Sequence, residues 1–431
     1  MGAVFERWLT SDAMLPFALA HCAIDRFRYR PGKRAIVLYA LDLVDLDTGV
    51  KTQQWVAGSV FAGGKARRLH AESLTADAGA ATSQRQALPR MSLLNELDML
   101  LEWFPHDRHL PQLAAVLGGV HHGLMATLAQ VLAARGTPAP TIALRPRRYR
   151  PGISTTFSAH AQTSCAATAG PALAYIKLTN PTEDPASARD WQALRTAMAA
   201  GIDAPAIPEI WSIGSESSLL AIAPVTGRPL DDLLAHGAGT DAIAGQCARA
   251  VYGLNSSDVA LSRNRPLPDA LKRMERGCDM LAWAAPGQTA RLVAIHNTAC
   301  SSLSETELRP AHLDLKTEHI FIADARTSFI DLDSAAASDP VLDAAQLAAR
   351  LDILPFQTGA EGAAIRQFKA GFLDAYFSLA PAHWRGNFAP AYAVAAIKTA
   401  LYFLQHLDAR FPERLDTILT AVEQQLGMSS S

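Results

Sequence analysis

Arg28-Tyr29-Arg30-Pro31-Gly32 returns 120 positions later as Arg148-Tyr149-Arg150-Pro151-Gly152. Arg108-His109-Leu110-Pro111-Gln112-Leu113 and Arg228-Pro229-Leu230-Asp231-Asp232-Leu233 stand at that same offset. An internal repeat constrains a fold more than composition does, because one supersecondary unit must serve twice. The order of elements agrees in the two copies. A Pro-Gly turn leads into a β-prone run at 35–39 or 154–158, followed by an apolar strand at 54–57 or 174–178. A helical stretch comes next, then a strand pair ending at 100–103 or 219–222.

Beyond about residue 236 the pattern changes. Segments 239–254, 267–284, 362–379, 391–407 and 411–426 carry apolar residues at helical spacing, as in Ala391, Val394, Ile397 and Leu401. One β-rich insert, 318–333, interrupts them, with strands at 319–322 and 328–331 joined through Asp324-Ala325-Arg326-Thr327. The expectation is an α+β protein with a first β-rich domain at 1–135, a second at 140–235 and a helical domain at 236–431. The length fits two or three domains of about 100–200 residues each.

Charge and cysteine usage narrow the setting. With 39 Lys+Arg against 41 Asp+Glu, the chain lacks the basic excess of a nucleic-acid binder. Cys22, Cys165, Cys247, Cys278 and Cys300 are odd in number and form no Cys-x-x-Cys pair, which suits a reducing cytoplasm. Glu6, Arg7, Asp12, Asp25 and Arg26 leave no apolar signal core in the first 30 residues. The Ala-rich run 390–404 would look membrane-like were it not for Lys398. A soluble protein without membrane partners is expected.

Reactive side chains are densest around the hairpin: His312-Leu313-Asp314-Leu315-Lys316-Thr317-Glu318-His319, then Ile330-Asp331-Leu332-Asp333, then Asp339-Pro340 and Asp343. An acid before the first strand and another after the second converge at one end of a short hairpin. Gathered carboxylates suit a hard divalent cation and a phosphate more than acyl chemistry. No G-x-S-x-G occurs, so nothing points to a serine hydrolase.

This string resembles the catalytic region of the aminoglycoside phosphotransferase and choline kinase-like family, small-molecule relatives of protein kinases. That family's pattern is H-G-D-x-x-x-x-N, then I-D-F/W, then G-D-P-x-x-D. The resemblance implies a protein-kinase-like fold, with a β-rich N-lobe and a helical C-lobe. It makes Asp314 the aspartate that accepts the substrate hydroxyl's proton and His312 the histidine that shapes its loop. Asp331 matches the metal-binding aspartate and Asp343 the buried aspartate that braces the loop. His319 stands where the family has its metal-ligand Asn, and Asp333 is a further metal candidate. Asn suits Mg²⁺, whereas imidazole suits softer ions such as Mn²⁺.

The same resemblance implies ATP and assigns its contacts. Lys177 would grip the phosphates, with Asp190 or Glu183 as its acidic partner. Gly152 and Ser154, in the second Pro-Gly turn, would lie over the phosphates, and Ile222, Ala223 and Val225 would form the hinge against adenine. At the repeat offset Lys177 faces Ala57, followed by Gly58, so the first copy reads as a degenerate N-lobe that binds no ATP. Residues 1–135 would pack on the second copy, shape the substrate entrance or mediate a homodimer.

Other conspicuous residues read as structural. Lys65, in Gly63-Gly64-Lys65-Ala66, fails the P-loop spacing and reads as a solvated turn. His121-His122 reads as a helix cap or surface pair, and Arg145, Arg147, Arg148 and Arg150 as a solvated linker. Three functions stay open: a small-molecule kinase acting on a hydroxyl; a pseudokinase or scaffold; and a metallohydrolase on His312, Asp314, His319, Asp331 and Asp333. Residues 351–431 hold seven acids against six bases, which gives no support to a polycationic acceptor. A sugar, polyol or other metabolite hydroxyl is compatible.

Overall fold

The computed structural model describes residues 1–13, 15–30, 32–77, 88–136, 141–161, 170–180, 186–199, 201, 203–213, 216–359 and 361–428. The chain divides into two compact units. The first comprises Met1–Glu183, Ser212–Ala221 and Gln405–Leu407, and the second Asp184–Trp211, Ile222–Leu404 and Asp408–Ser431. The architecture is α+β, with antiparallel sheets followed by a helical region. No helix among the described residues is long and apolar enough to cross a membrane.

Helix α1 (Gly2–Arg7) precedes a five-stranded sheet of β1 (Phe17–Arg30), β2 (Arg34–Asp45), β3 (Lys51–Phe61), β4 (Met91–Leu94) and β5 (Met99–Trp103). Its spatial order is β1-β2-β3-β5-β4. Helix α2 (Lys65–Asp77) connects β3 to β4, and α3 (Leu113–Leu117) and α4 (His122–Ala134) follow. The second sheet holds β6 (Ile142–Arg150), β7 (Ser154–Ala161), β8 (Ala174–Thr179), β9 (Ile210–Ile213) and β10 (Glu216–Ile222), in the order β6-β7-β8-β10-β9. The two orders are the same once each sheet is numbered from its own first strand.

The repeated pentapeptide explains part of this agreement. Tyr29 pairs with Ala35 and Arg30 with Arg34; likewise Tyr149 pairs with Thr155 and Arg150 with Ser154. Gly32 at φ +66° and Gly152 at φ +69° supply the left-handed residue that such a turn requires. From there the copies drift apart. Thr156 pairs with Lys177, but Ile36, its counterpart at the offset, pairs with Ser59. Two more positions separate Ile36 from Ser59 than separate Thr156 from Lys177, so Ser59 rather than Ala57 occupies the lysine's register. Neither residue is an amine.

Residues 145–150 belong to β6 instead of a linker. Pro146 lacks an N–H, and an edge strand tolerates that; β6 is the edge, and its register shifts between Pro146 and Arg148. The arginines at 145, 147 and 148 point to solvent while Tyr149 is buried. His121 caps α4, its Nδ1 accepting the Leu124 N–H at 3.2 Å. Lys65 opens α2 and lies 5.4 Å from the centroid of the Phe61 ring.

One carboxylate joins the first sheet's trailing loop to the second sheet's turn. Asp107, only 6% exposed, accepts the Tyr149 hydroxyl at 2.9 Å and the N–H groups of Gly152 at 2.7 Å and His109 at 2.8 Å. Trp55 and Phe104 pack on the Tyr149 ring, with centroids 6.1 and 5.2 Å away. Asp107→Ala strands three donors, and is expected to lower the unfolding free energy by about 2–4 kcal/mol. A urea midpoint equal to that of the parent protein would show that water satisfies them instead.

Helices dominate the second unit. Helix α5 (Ala186–Met198) is followed, after β10, by β11 (Arg228–Pro229), α6 (Leu230–Ala235), α7 (Asp241–Asn255), α8 (Leu267–Ala284) and α9 (Thr289–Ser301). Then come β12 (Arg309–Ala311), the hairpin β13 (Ile320–Ala323) and β14 (Arg326–Phe329), β15 (Ala336–Ser338), and α10 (Val341–Thr358). Helices α11 (Gly362–Leu379), α12 (Phe388–Gln405) and α13 (Phe411–Gln425) complete it. Strand β11 pairs with β13, and β12 with β15. Gly227 enters β11 at φ +100°, and a Cβ there would stand 2.4 Å from the Ile322 carbonyl oxygen, so the approach needs glycine. Thr240 caps α7 by accepting the Ile243 N–H at 3.3 Å. The core runs through α7, α10, α11 and α12, with Val251, Leu347, Phe372 and Ala396 almost wholly buried.

Candidate active site

The loop from 312 to 319 connects β12 to the hairpin, and it is built around Asp343. This carboxylate is wholly buried in the first turn of α10, where the helix N-terminus favours negative charge. It accepts the N–H of His312 at 2.7 Å, the N–H of Leu313 at 2.8 Å and the Asn255 side-chain amide at 2.9 Å. Leu313 has φ +60°, a conformation that costs a branched residue about 1–3 kcal/mol unless its surroundings hold it. The paired bonds to Asp343 do so. Tyr376 closes the network by donating to Asn255 at 3.2 Å or to the Pro340 carbonyl at 3.1 Å.

Two imidazoles are fixed as tautomers by what they face. His312 Nε2 lies 2.8 Å from the Ile330 carbonyl and must carry its proton there; Nδ1 then accepts the Asp314 N–H at 3.4 Å. His319 Nδ1 lies 2.9 Å from the Asp314 carbonyl, so that nitrogen is the donor. Its Nε2 lone pair consequently faces Asp331 Oδ2 at 3.6 Å. Burial pushes the His319 pKa down to about 4, against the opposing pull of Asp331, so the ring is neutral near pH 7. A neutral imidazole lone pair and a carboxylate oxygen facing each other are donor atoms of the kind that ligate a cation.

Asp314 completes that arrangement. One ligand atom from each of Asp314, His319 and Asp331 lies within 4.8 Å of the others, the one such group of three among the described residues. Asp331 stands at φ +62° between β14 and the following 3₁₀ turn, which swings its side chain back to the loop. Asp314 Oδ1 takes a bond from Lys398 Nζ at 2.8 Å, and Oδ2 lies 3.0 Å from Lys316 Nζ. Burial alone would raise the Asp314 pKa, but the two lysines outweigh it and hold the carboxyl well below the usual range.

The remaining candidates fall elsewhere. Asp333 is outside the trio; its carbonyl accepts Arg263 Nη2 at 2.7 Å. Lys177 is buried on β8, 9% exposed, and Ser154 is buried at the start of β7. The Gly152 N–H is committed to Asp107, so it is not free for a phosphate. Ile222 ends β10, the Ala223 N–H donates to the Glu209 carbonyl at 2.8 Å, and Val225 lies half-buried in the segment beyond. Asp190 on α5 already accepts Ser262 N–H at 2.9 Å and its hydroxyl at 2.7 Å, with Arg263 at 3.8 Å. Glu183 lies outside the described residues.

Lys316 and Lys398 escaped the sequence reading. Lys316 had a local signal, standing two residues after Asp314 on the same loop. Lys398 had a subtler one: a single charge in the apolar run 390–404, which costs free energy unless a partner meets it. A cavity of about 860 Å³ in the second unit, with Arg195, Asp203 and Arg249 in its wall, is lined by none of these groups.

No family model matches the chain, and no curated protein matches it. Solved structures do. A choline/ethanolamine kinase family protein from Mesorhizobium loti is 15% identical, with 71% of this chain and 94% of that one covered, at a TM-score of 0.44. An ADP-bound aminoglycoside phosphotransferase is 15% identical, covering 70% and 99%, at 0.44. A glucosamine kinase is 16% identical and covers 94% of both chains, at 0.43. The solved structures to which this chain is similar thus carry names from the class of small-molecule kinases that its His312-to-Asp343 motif resembles.

Proposed function

We propose that the protein is an ATP-dependent phosphotransferase acting on a hydroxyl of a small metabolite. The observation that carries this reading is the convergence of Asp314, the His319 Nε2 lone pair and Asp331 beside two lysines. The carboxylate oxygens suit Mg²⁺ and the His319 imidazole favours a softer ion such as Mn²⁺, with Asp331 and His319 as the holders. Bound there, the ion would neutralise charge on the nucleotide's phosphates.

The protein's own groups account for the rest. Asp314 orients the acceptor hydroxyl for in-line attack on the γ-phosphorus. As the new O–P bond forms and the bond to ADP breaks, the hydroxyl proton passes to an Asp314 oxygen. A carboxylate held so acidic is a weak base, so the proton moves late, after the O–P bond is largely made. Lys316 and Lys398 stabilise the charge that develops beside it, and most of the barrier reduction comes from positioning and electrostatics. Lys177 serves the phosphates, and residues 1–135, whose sheet has the strand order of the second, act as a degenerate N-lobe that leaves ATP to its neighbour.

Isothermal titration of ATP with Mg²⁺ and then Mn²⁺ tests this, alongside Asp331→Asn. Metal-dependent binding in the parent, weakened at least about tenfold in the variant, is the expected result. A pseudokinase is the second reading, favoured by the Gly152 and Ala223 N–H groups already being engaged. Metal-independent ATP binding that is indifferent to Asp331→Asn would establish it.

A further inference from the structure

A cavity of about 320 Å³ opens in the second unit next to the catalytic loop, with Leu313 and Lys398 in its wall. These residues flank Asp314, so this is the space an acceptor would fill. Its volume matches a small metabolite. Its chemistry is one-sided. Arg265, Arg273 and Lys398 line it, and none of its lining residues is acidic.

Neither Arg265 nor Arg273 is paired with a carboxylate among the described residues, and Lys398 donates to the Leu313 carbonyl at 3.4 Å and to Asp314, which Lys316 also holds. Gln346 lines the same cavity; it is 7% exposed and has no side-chain hydrogen-bond partner among the described residues. A buried amide without a partner is costly unless a ligand or water completes it. The opposite wall is apolar, formed by residues such as Leu342, Val394 and Ile397. Burial and the nearby Arg263 and Arg273 also lower the pKa of Arg265, as crowded cations without a counter-ion must.

We propose that the acceptor is a hydroxylated anion, bound through its carboxylate or phosphate by Arg265 and Arg273, with Gln346 as a further hydrogen-bonding group. This assignment rests on the phosphotransferase reading and narrows it. The acceptor's hydroxyl points to Asp314, its charge to the arginines, and its carbon skeleton to the apolar wall. Guanidinium groups recognise both carboxylate and phosphate through paired N–H donors, so the shared chemistry is an oxyanion. Cationic alcohols and amino sugars meet like charge and are excluded.

The test uses the full chain with its nucleotide site filled by a non-hydrolysable ATP analogue and Mg²⁺, so that added anions cannot report on that site. Thermal midpoints are measured with gluconate, glucose 6-phosphate, glucose, glucosamine and choline at equal concentration. Gluconate or glucose 6-phosphate is expected to raise the midpoint; the neutral and cationic probes are not. Arg273→Glu should weaken the anion's apparent affinity at least about tenfold, the scale set by losing one charge-assisted contact. Arg265→Gln, a gentler change, should weaken it in the same direction. Equal or better binding of glucosamine or choline overturns the proposal, as does no response to any probe, or an anion response that survives both variants. ADP release is then followed with ATP and the same probes. Anion binding without ADP release would sink the phosphotransferase reading while leaving the anion site standing. Release stimulated by cations alone would do the reverse.

Discussion

Asp314→Asn is expected to reduce kcat at least about 100-fold, the lower bound for losing a positioned acid–base group, while ATP binding stays measurable. The amide still fits between Lys316 and Lys398 but can neither accept the hydroxyl's proton nor balance two ammonium charges. Nucleotide affinity should therefore change far less than turnover. The measurement is steady-state ADP production against ATP titration calorimetry on the same preparation. A variant that turns over within threefold of the parent would place the proton's destination elsewhere and remove Asp314 from the mechanism.

Stability should fall most with Asp343→Ala. The substitution removes the acceptor for His312, Leu313 and Asn255 at once, all in the interior. Leaving buried donors unpaired costs about 1–3 kcal/mol each, so a loss of about 3–5 kcal/mol is expected. Leu313 would also lose the bond that holds it at φ +60°. The urea midpoint is the readout, and Asp343→Asn, which keeps one carbonyl oxygen, should fall between parent and alanine variant. Parent-like stability in the alanine variant would mean that the loop is held by something other than this carboxylate.

How much of this was legible in the sequence depends on distance along the chain. Helices α8 and α11 were visible to the residue, because each carries one apolar stripe. Helix α10 was missed for the opposite reason: most of its residues are buried, so no polar face marks a period. Strand β6 was hidden by its arginines and Pro146, which an edge position permits. In the site, Asp314, His319 and Asp331 lie on one loop and one hairpin, and local spacing brought them together. Lys398 arrives from α12, and no local pattern pairs it with Asp314. The correspondence of Lys177 with Ser59 was equally out of reach, since a fixed offset cannot see that paired residues of the first copy lie two positions further apart than those of the second.

The bonds of Asp107 bear on where the molecule can be divided. A sequence boundary near 135–140 looks like a seam, falling between two similar sheets. Yet Tyr149 and Gly152 on the far side depend on a carboxylate from the near side, and strands β1 to β8 belong to one compact unit. Cutting there would expose the Trp55, Phe104 and Tyr149 rings together with two orphaned donors. A fragment that begins at residue 140 is therefore expected to hold its second sheet less firmly than the full chain does, because the Tyr149 hydroxyl and the Gly152 N–H lose their acceptor.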